Sequence, residues 1–564
     1  MKRSCRFLCM VGLAAFLSSS ALAQYTGNNQ TNIISGVTSN WTGDYLVGYS
    51  YVFDALLIQN GGVLSNSPVS YVGYTVGADS NAVIVSGPGS QWGCLGDLFL
   101  GWSGSGNSLV IRDGGKVGSF VTSQNGMVGH SGSNNWALVT DPGSAWFFTG
   151  QMTIGETGAG NTMIISNGGV VVNGEGVIGN GIGSSSNRVL VTGVGSTWTN
   201  RAGLLVGNYG AGNTLVISNG SKVYIGAKGG ALGVRTEIGG LGANASGNSV
   251  LVTGAGSSLA SHLDLAVGVS GTNNSLTIAN SGLVVMGNVY VGWFAGATNS
   301  RINVSGGFLF ATNRFTFGTN QPSPPVFDIR RGALNLNDGT VTADKLLLTN
   351  GSASVIAFNG GLLNSKGTAV TNTQQFVVGN GVASANFHLL GGVHSFNNGL
   401  RIRSNSFLTG CGTITGTVVV DAGGSVATDC GLTFTGSVTN NGILHVQNGS
   451  VLEVYGPFVN NGILDLMDGT TNFHSTFINN GTIINASYFR VTSLTQEGDN
   501  MRISWPAVGG RSYVVQVADD VGAGFTDLSP DILIPGTSLS TTNFLDLGGA
   551  TNAPSRFYRA RLLP

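Results

Sequence analysis

The chain has 564 residues, of which 92 are glycine and only 9% are charged. Hydrophobic residues make up 41%, which is enough for a buried core and excludes a globally disordered chain. The glycines follow no three-residue period, which excludes collagen. The formal net charge of −1 lacks the basic excess that nucleic-acid binding requires, so we expect no nucleic-acid partner.

The first 23 residues have the pattern of a secretory signal peptide. Lys2, Arg3 and Arg6 precede an apolar stretch from 7 to 16, and Ala21-Leu22-Ala23 fits a cleavage site after Ala23. Removing 3 of the 24 basic residues leaves 21 against 25 acidic residues, a net charge of −4. No later apolar run approaches the length of a membrane span, so we expect an exported chain without membrane insertion.

A short motif recurs along the first half of the chain. It is "GNSLVIRDGG" at 106–115, "GNTMIISNGG" at 160–169 and "GNTLVISNG" at 212–220. Alignment on its asparagine gives ten equivalent positions, 26 to 28 residues apart except for one step of 35: Asp54, Asn81, Asn107, Asn135, Asn161, Asn187, Asn213, Asn248, Asn274 and Ser300. Such a period indicates a repeat architecture.

Each repeat predicts short strands separated by turns. The residues two and four places after the aligned position are apolar, as in Leu215 and Ile217, which is the period of a strand with one buried face. The strand ends at Asn-Gly or Gly-x-Gly, and two further short apolar pieces follow within the unit. Strands this short bury a face only by stacking on their copies, which predicts a β-solenoid, namely a right-handed parallel β-helix with one unit per coil. A β-propeller needs blades of roughly 40 to 50 residues, and the 26-residue period argues against it.

The paired unit "VTGVGSTWTNRAGLLVGNYGAGNTLVISNG" at 191–220 resembles the repeat shared by bacterial autotransporter passengers and PEP-CTERM-associated proteins. The resemblance covers residues 41–313, with Gly-Ser-x-Trp, Val-Gly and Gly-Asn-x-Leu in register. It implies a secreted or surface-exposed β-helix of a bacterium, with Gram-negative origin expected. The family carries no catalytic residues or cofactor to transfer, so we predict none.

The remaining chain divides by composition. We predict a β-helix region at 24–318, an excursion loop at 319–326 around "TNQPSPP", and a second β-helix region at 327–486 with shorter coils. In that region "NNG" recurs at Asn440, Asn460 and Asn479, and the segment 407–424 again resembles autotransporter passengers. Residues 487–564 resemble a fibronectin type III-like β-sandwich, with Trp505 on an early strand and Tyr558 on a late one.

Three cysteines remain after the signal peptide, and two of them match the shorter period. Cys411 and Cys430 are 19 residues apart, which predicts equivalent positions on adjacent coils. In an exported protein they form either a disulfide or two stacked free thiols. Cys94 has no such counterpart.

The polar residues give few signs of chemistry. The six histidines lie in no metal-ligand spacing, and we predict no metal or cofactor site. One charged cluster could serve a polysaccharide lyase or hydrolase on the β-helix, but solvated turns explain it more simply: Asp328, Arg330, Arg331, Asp338, Asp344 and Lys345.

Four tryptophans recur every second repeat, namely Trp41, Trp92, Trp146 and Trp198. Aromatic rings in a row could form a platform for a glycan. Alternatively, each indole fills a corner of the paired unit. Leu259 occupies the next equivalent position, which favours the packing role because leucine fills a corner but does not stack on a sugar.

The sequence therefore predicts an exported, non-enzymatic structural or adhesion protein, with a rigid β-helix as a stalk at the cell surface or in the extracellular matrix. The alternatives are a glycan-binding protein and, with less support, a polysaccharide lyase or hydrolase. The partner class that we consider is polysaccharide of the cell envelope or extracellular matrix. The sequence does not indicate an oligomeric state.

Overall fold

A computed structural model describes residues 25–563 except 67, 119–123, 227–235, 262, 313–323, 468, 486–489, 521, 523 and 537–538. The predicted signal peptide lies outside the described residues, as do His262 and most of the predicted excursion loop. The chain divides into two compact units, residues 1–362 and residues 363–564. Among the described residues, no helix has the length and apolar character to cross a membrane.

The first unit is a parallel β-helix with three strands in each coil. Sheet 1 contains the strand that follows each aligned asparagine, and it has 13 parallel strands. Its strands are Thr31–Ser35, Ala55–Gln59, Ala82–Ser86, Ser108–Arg112, Trp136–Thr140, Thr162–Ser166, Arg188–Thr192, Thr214–Ser218, Ser249–Thr253, Ser275–Ala279, Ser300–Ser305, Gly332–Leu336 and Val355–Phe358.

Two further strands complete each coil. Sheet 2 contains the second strand: Thr38–Trp41, Val63–Asn66, Gln91–Cys94, Lys116–Gly118, Ala145–Phe147, Val170–Asn173, Thr197–Asn200, Lys222–Ile225, Ser258–Ser261, Leu283–Met286, Gly307–Ala311, Gly339–Ala343 and the boundary strand Gly361–Ser365. Sheet 3 contains the third: Tyr45–Val47, Ser70–Val72, Leu98–Leu100, Gly126–Val128, Met152–Ile154, Gly176–Ile178, Leu204–Val206, Thr236–Ile238, Leu265–Val267, Val289–Val291, Val326–Ile329 and Lys345–Leu348. A 3₁₀ turn lies at Gly351–Ala353.

Each strand pairs in parallel with its copy in the next coil, so equivalent residues stack. Leu215 pairs with Val250 and Ile217 with Val252, and all four are buried. The predicted inward positions of sheet 1 are therefore confirmed. The strand Val326–Ile329, which begins inside the predicted excursion at 319–326, pairs with Val289–Val291. The first β-helix thus continues past that loop instead of restarting after it.

The aligned asparagines form a buried ladder along this unit. Asn161 is fully buried, and its Oδ1 accepts hydrogen bonds from the backbone N–H of Asn135 at 2.9 Å and from Asn135 Nδ2 at 3.2 Å. Asn161 donates in the same way to Asn187, at 2.8 and 3.1 Å. Each side chain therefore satisfies a buried backbone group of the preceding coil, which a buried corner requires.

The glycine of each Val-Gly or Ile-Gly pair makes room for this ladder. Gly179 has a φ of +77°, and a Cβ there would lie 2.1 Å from Nδ2 of Asn213. A side chain at this position would both strain the backbone and collide with the asparagine. The Gly and Asn of the repeat are therefore one packing unit, although they lie in different coils.

Asp54 is the exception at the start of the ladder. Its backbone N–H donates to Asn81 Oδ1 at 2.9 Å, and its Oδ1 accepts from the N–H of Gln30 at 2.9 Å. Its Oδ2 is buried and has no partner among the described residues. Burial raises the pKa of Asp54, against the opposing effect of the hydrogen bond from Gln30.

The second unit begins with shorter coils. Its β-helical part contains these strands: Thr368–Val370, Ala385–Phe396, Ser406–Thr415, Ser425–Thr428, Leu432–Phe434, Ile443–Val446, Val451–Val454, Ile463–Asp465, Thr470–Phe473 and Thr482–Ile484. A separate six-stranded parallel sheet contains Phe376–Val378, Leu400–Ile402, Val418–Val420, Val438–Asn440, Phe458–Asn460 and Phe477–Asn479.

The "NNG" asparagines form a second ladder in these coils. Asn440 Nδ2 donates to Asn460 Oδ1 at 2.9 Å, and Asn460 Nδ2 donates to Asn479 Oδ1 at 2.7 Å. In the same unit, Cys411 and Cys430 are joined by a disulfide, with their Cα atoms 5.4 Å apart. Of the two states that the sequence left open, the structure has the bridge.

A β-sandwich completes the second unit. One antiparallel sheet contains Ser493–Glu497, Asn500–Val508 and Leu539–Asp546; the other contains Ser512–Ala518, Thr526–Asp527, Ile532–Leu533 and Phe557–Leu562. Trp505 and Tyr513 are fully buried between the sheets, and Ile484 of the last coil belongs to the same cluster. The sandwich therefore covers the apolar end of these coils, which protects exposed strand edges.

A buried ion pair joins the coils to the sandwich. Oδ2 of Asp465 accepts hydrogen bonds from His445 Nδ1 at 3.0 Å and from Arg511 Nη2 at 2.7 Å. Burial alone raises the pKa of Asp465, but the hydrogen bond from His445 and the charge of Arg511 outweigh it and hold the pKa below its usual range.

The ladder predicts that Asn161→Ala destabilises the first unit. The change leaves the backbone N–H and Nδ2 of Asn135 without their acceptor, at a cost of about 1–3 kcal/mol for each buried group. We expect a lower midpoint of thermal unfolding by calorimetry. Asn337→Ala, at an exposed asparagine of the same unit, is the control and should change stability by at most about 0.5 kcal/mol. Equal effects of the two changes would contradict a structural role of the ladder.

Asp54→Asn should stabilise the protein at neutral pH. A folded-state pKa above the unfolded value means that this carboxyl favours folding at low pH and opposes it as the pH rises through the folded pKa. The asparagine removes this pH dependence and supplies an Nδ2 donor for Asn81. We expect a higher unfolding midpoint at pH 7 and a flatter pH profile above about pH 4. Exposed Asp338→Asn is the matched control; an unchanged profile in Asp54→Asn would refute the interpretation.

Candidate functional site: a cleft beside Arg330

The recurring tryptophans do not form a surface platform. Trp92, Trp146 and Trp198 are fully buried, and Trp198 Nε1 donates to Asn173 Oδ1 at 2.7 Å. Only Trp41, in the first coil, is partly exposed, and its Nε1 donates to the carbonyl of Asp44 at 3.0 Å. The glycan-platform interpretation is therefore wrong for three of the four residues, because their positions in sheet 2 point inward.

A different set of aromatic side chains lies on the surface. Each follows the glycine at the end of a sheet 3 strand, and together we call them the aromatic row: Tyr49, Tyr74, Trp102 and His130. Their rings stack in order, with centroids 5.4, 6.3 and 3.9 Å apart. Because the rings cover one another's faces, the row stabilises the coil surface more readily than it binds a sugar. Alignment on the residue after each Val-Gly or Leu-Gly would have revealed it.

The predicted charged cluster comes together only in part. Asp328, Arg330 and Arg331 line a cleft with Trp293 and Phe294. Asp338 and Lys345 are exposed and do not line it, and Asp344 is buried outside it. The aromatic side of the cleft was missed in the sequence, because Trp293 and Phe294 follow an ordinary Val-Gly pair 35 residues before the charged residues.

The cleft has a volume of about 480 Å³, and Thr349 and Asn350 complete its wall. This volume lies within the roughly 300–1,000 Å³ of small-molecule sites. Its lining is mainly polar, with the half-exposed ring of Phe294 as an apolar surface. One strand residue, Asp328, and three connecting segments at 293–295, 330–331 and 349–350 supply the lining. The site therefore depends on the stacking of adjacent coils.

Arg330 is held in position by three groups. Its Nε donates to Asp328 Oδ2 at 2.7 Å, and its Cζ lies 4.4 Å from the ring centroid of Trp293 and 5.0 Å from that of Tyr290. Cation–π contacts of this kind stabilise a guanidinium without neutralising it. Asp328 is buried, and among the described residues its Oδ1 has no hydrogen-bond partner, so Arg330 supplies the compensating charge.

Arg331 adds a second positive charge. Its Nη1 donates to the carbonyl of Trp293 at 3.0 Å, and within the described part of the chain it forms no ion pair. One carboxylate, Asp328, and two guanidinium groups, Arg330 and Arg331, therefore line the cleft, which carries one net positive charge. Such a site attracts an anion, and it lacks the second carboxylate that glycoside hydrolysis by a paired acid and base requires.

The other reactive side chains are engaged in packing. Burial raises the pKa of the Cys94 thiol to about 12, against a weaker opposing effect of Ser70, so the thiol stays protonated at neutral pH. His394 is buried between Thr368 Oγ1 and the carbonyl of Gly391, at 3.0 and 2.9 Å, and burial lowers its pKa. Among the described residues, no group of three or more His, Cys, Asp or Glu side chains could hold a metal ion.

No family model matches the chain, and no curated protein matches it. Among solved structures it is similar to the crystal structure of a TibC-catalysed hyper-glycosylated TibA55-350 fragment, with 12% identity over 81% of this chain and 98% of that chain. The TM-score is 0.22, which is too low to support an inference, so the fold rests on the strands described above.

The buried position of Trp198 predicts a stability defect in Trp198→Ala. Removing a buried indole costs about 3–5 kcal/mol and leaves Asn173 Oδ1 without its donor. We expect a clear fall in the thermal unfolding midpoint, measured by calorimetry. Trp198→Leu, which copies the natural Leu259, should lose much less. A stable Trp198→Ala protein that has lost only glycan binding would overturn this role.

Proposed function

We propose that this chain is an exported, non-enzymatic structural or adhesion protein of a bacterium, with its β-helix as a rigid stalk at the cell surface or in the extracellular matrix. The main support for the proposal is that the side chains of the repeated residues face the core. The aligned asparagines are buried, the glycines make room for them, and three of the four tryptophans that recur every second repeat are buried as well. Packing therefore explains why these residues recur along the chain.

The stacking also gives the stiffness that a stalk needs. Thirteen parallel strands of sheet 1, at about 4.8 Å per coil, span about 60 Å in the first unit. The asparagine ladder ties consecutive coils from the inside, and the aromatic row ties several of them from the outside. Each coil contacts its neighbours over three sheets, and we expect this stacking to stiffen the unit.

Glycan binding is a second candidate function, favoured by the cleft beside Arg330. Aromatic rings with fixed polar groups are typical of small-ligand sites. Such a site would suit an adhesion protein, which needs a specific contact as well as a stalk. Polysaccharide cleavage has less support, because the single buried carboxylate of the cleft is already paired with Arg330.

Two measurements test the proposal. Antibody labelling of intact and permeabilised cells of the source bacterium should detect the protein outside the cytoplasm. The purified chain from residue 24 onward, incubated with neutral, uronic and sulfated polysaccharides, should release no reducing ends or unsaturated products. Turnover that is lost in Asp328→Asn and retained in Asn337→Ala would show an enzyme instead, and a purely cytoplasmic protein would refute the surface role.

A further inference from the structure

We propose that the cleft beside Arg330 binds a carboxylated sugar, the uronic acid residue of an acidic polysaccharide. The inference deepens the proposed adhesion function and rests on it for its biological purpose. The chemistry of the cleft itself follows from its own side chains. All of them belong to the first unit.

The guanidinium of Arg330 is organised before any ligand arrives. Asp328 holds its Nε edge, and the rings of Trp293 and Tyr290 flank it. Among the described residues, no acceptor contacts its two Nη groups. A planar pair of N–H donors with its orientation fixed matches the two oxygens of a carboxylate, and little entropy is lost when that carboxylate binds.

Arg331 makes the cleft selective for an anion. Its Nη1 is occupied by the carbonyl of Trp293, but its charge has no carboxylate partner among the described residues. With Asp328 compensated by Arg330, the charge of Arg331 remains. The chain as a whole has a formal net charge of −1, so this positive cleft is a local feature and does not arise from a generally basic surface.

The remaining groups fit a sugar ring better than a bare inorganic anion. The ring of Phe294 is 50% exposed, and an apolar face of this kind packs against the C–H face of a pyranose. Asn350 donates from Nδ2 to the carbonyl of Arg330 at 2.9 Å, which leaves its Oδ1 to accept from a sugar hydroxyl. Thr349 is an exposed residue of the same wall.

The volume of the cleft and its open side suit one or two sugar residues of a longer polysaccharide chain. About 480 Å³ is at the lower end of the roughly 300–1,000 Å³ typical of ligand sites. A polymer could continue along the surface from the open side while one uronate occupies the cleft. The cleft thus gives a stalk a specific contact with an acidic matrix.

Isothermal titration calorimetry of the purified chain with an oligogalacturonate tests the inference. The neutral comparison is an oligoglucose of the same length, and sodium sulfate is the simple anion. We expect binding of the oligogalacturonate that weakens as salt increases, and much weaker binding of the neutral oligomer and of sulfate. Equal affinity for sulfate, or for the neutral oligomer, would overturn the carboxylated-sugar assignment.

Single substitutions test whether the sugar binds in this cleft. Arg331→Gln removes the uncompensated charge while its amide can still donate to the carbonyl of Trp293, and we expect at least a tenfold loss of affinity. Phe294→Ala should also weaken binding of the sugar. Arg301→Gln, at an exposed arginine on a neighbouring strand, is the control and should bind normally. Unchanged affinity in Arg331→Gln would overturn the site.

Arg330 needs a different variant, because its removal alone leaves the buried carboxylate of Asp328 uncompensated. The double change Asp328→Asn with Arg330→Gln avoids this and should abolish binding with the circular dichroism spectrum retained. The outcome is separable from that of the proposed function. Binding together with turnover would refute the non-enzymatic role but keep the site, whereas surface localisation without binding would keep the role and refute the site.

Discussion

The buried hydrogen bond between asparagines of successive coils is the constraint on which the first unit depends. Each coil of a β-helix must turn its backbone through a corner where no neighbouring strand can satisfy the N–H group. Here Oδ1 of one asparagine accepts both the backbone N–H and the Nδ2 of the asparagine before it, as between Asn187 and Asn213 at 2.9 and 3.1 Å. The parallel register brings these asparagines together, and the glycine packed against each of them leaves room for the contact.

Much of this fold could be predicted from the sequence, but the direction of polar side chains could not. The 26-residue period of the repeat predicted the coils. The alternation of apolar residues predicted which side chains of sheet 1 face inward, such as Leu215 and Ile217. Asparagine before a strand is usual in exposed turns, so the residue type alone does not indicate burial. Only the register between coils shows that Asn213 faces inward, because its partners lie 26 residues before it and 35 after. The buried tryptophans were ambiguous for the same reason.

At the candidate site, too, the sequence did not show which side chains contact one another. The charge pattern at 328–331 was visible in the sequence, but nothing in it indicated which residues meet. The stacking of coils brings Trp293 to Arg330 across 37 positions, and it leaves Asp338 and Lys345 outside the cleft. A repeat protein can thus hold a specific site without a local motif, since the contact runs between coils. The cleft also lies where the regular repeat ends, which is where a surface can differ from its neighbours.

Amide hydrogen exchange of the native protein, read by NMR or mass spectrometry, tests directly whether the asparagine ladder forms. If the asparagine side chains accept the buried backbone N–H groups, the amides of Asn107, Asn135 and Asn161 should exchange as slowly as those inside sheet 1. Exchange at the rate of exposed turns, with the sheet amides still protected, would show that the ladder is not formed and would contradict the central claim.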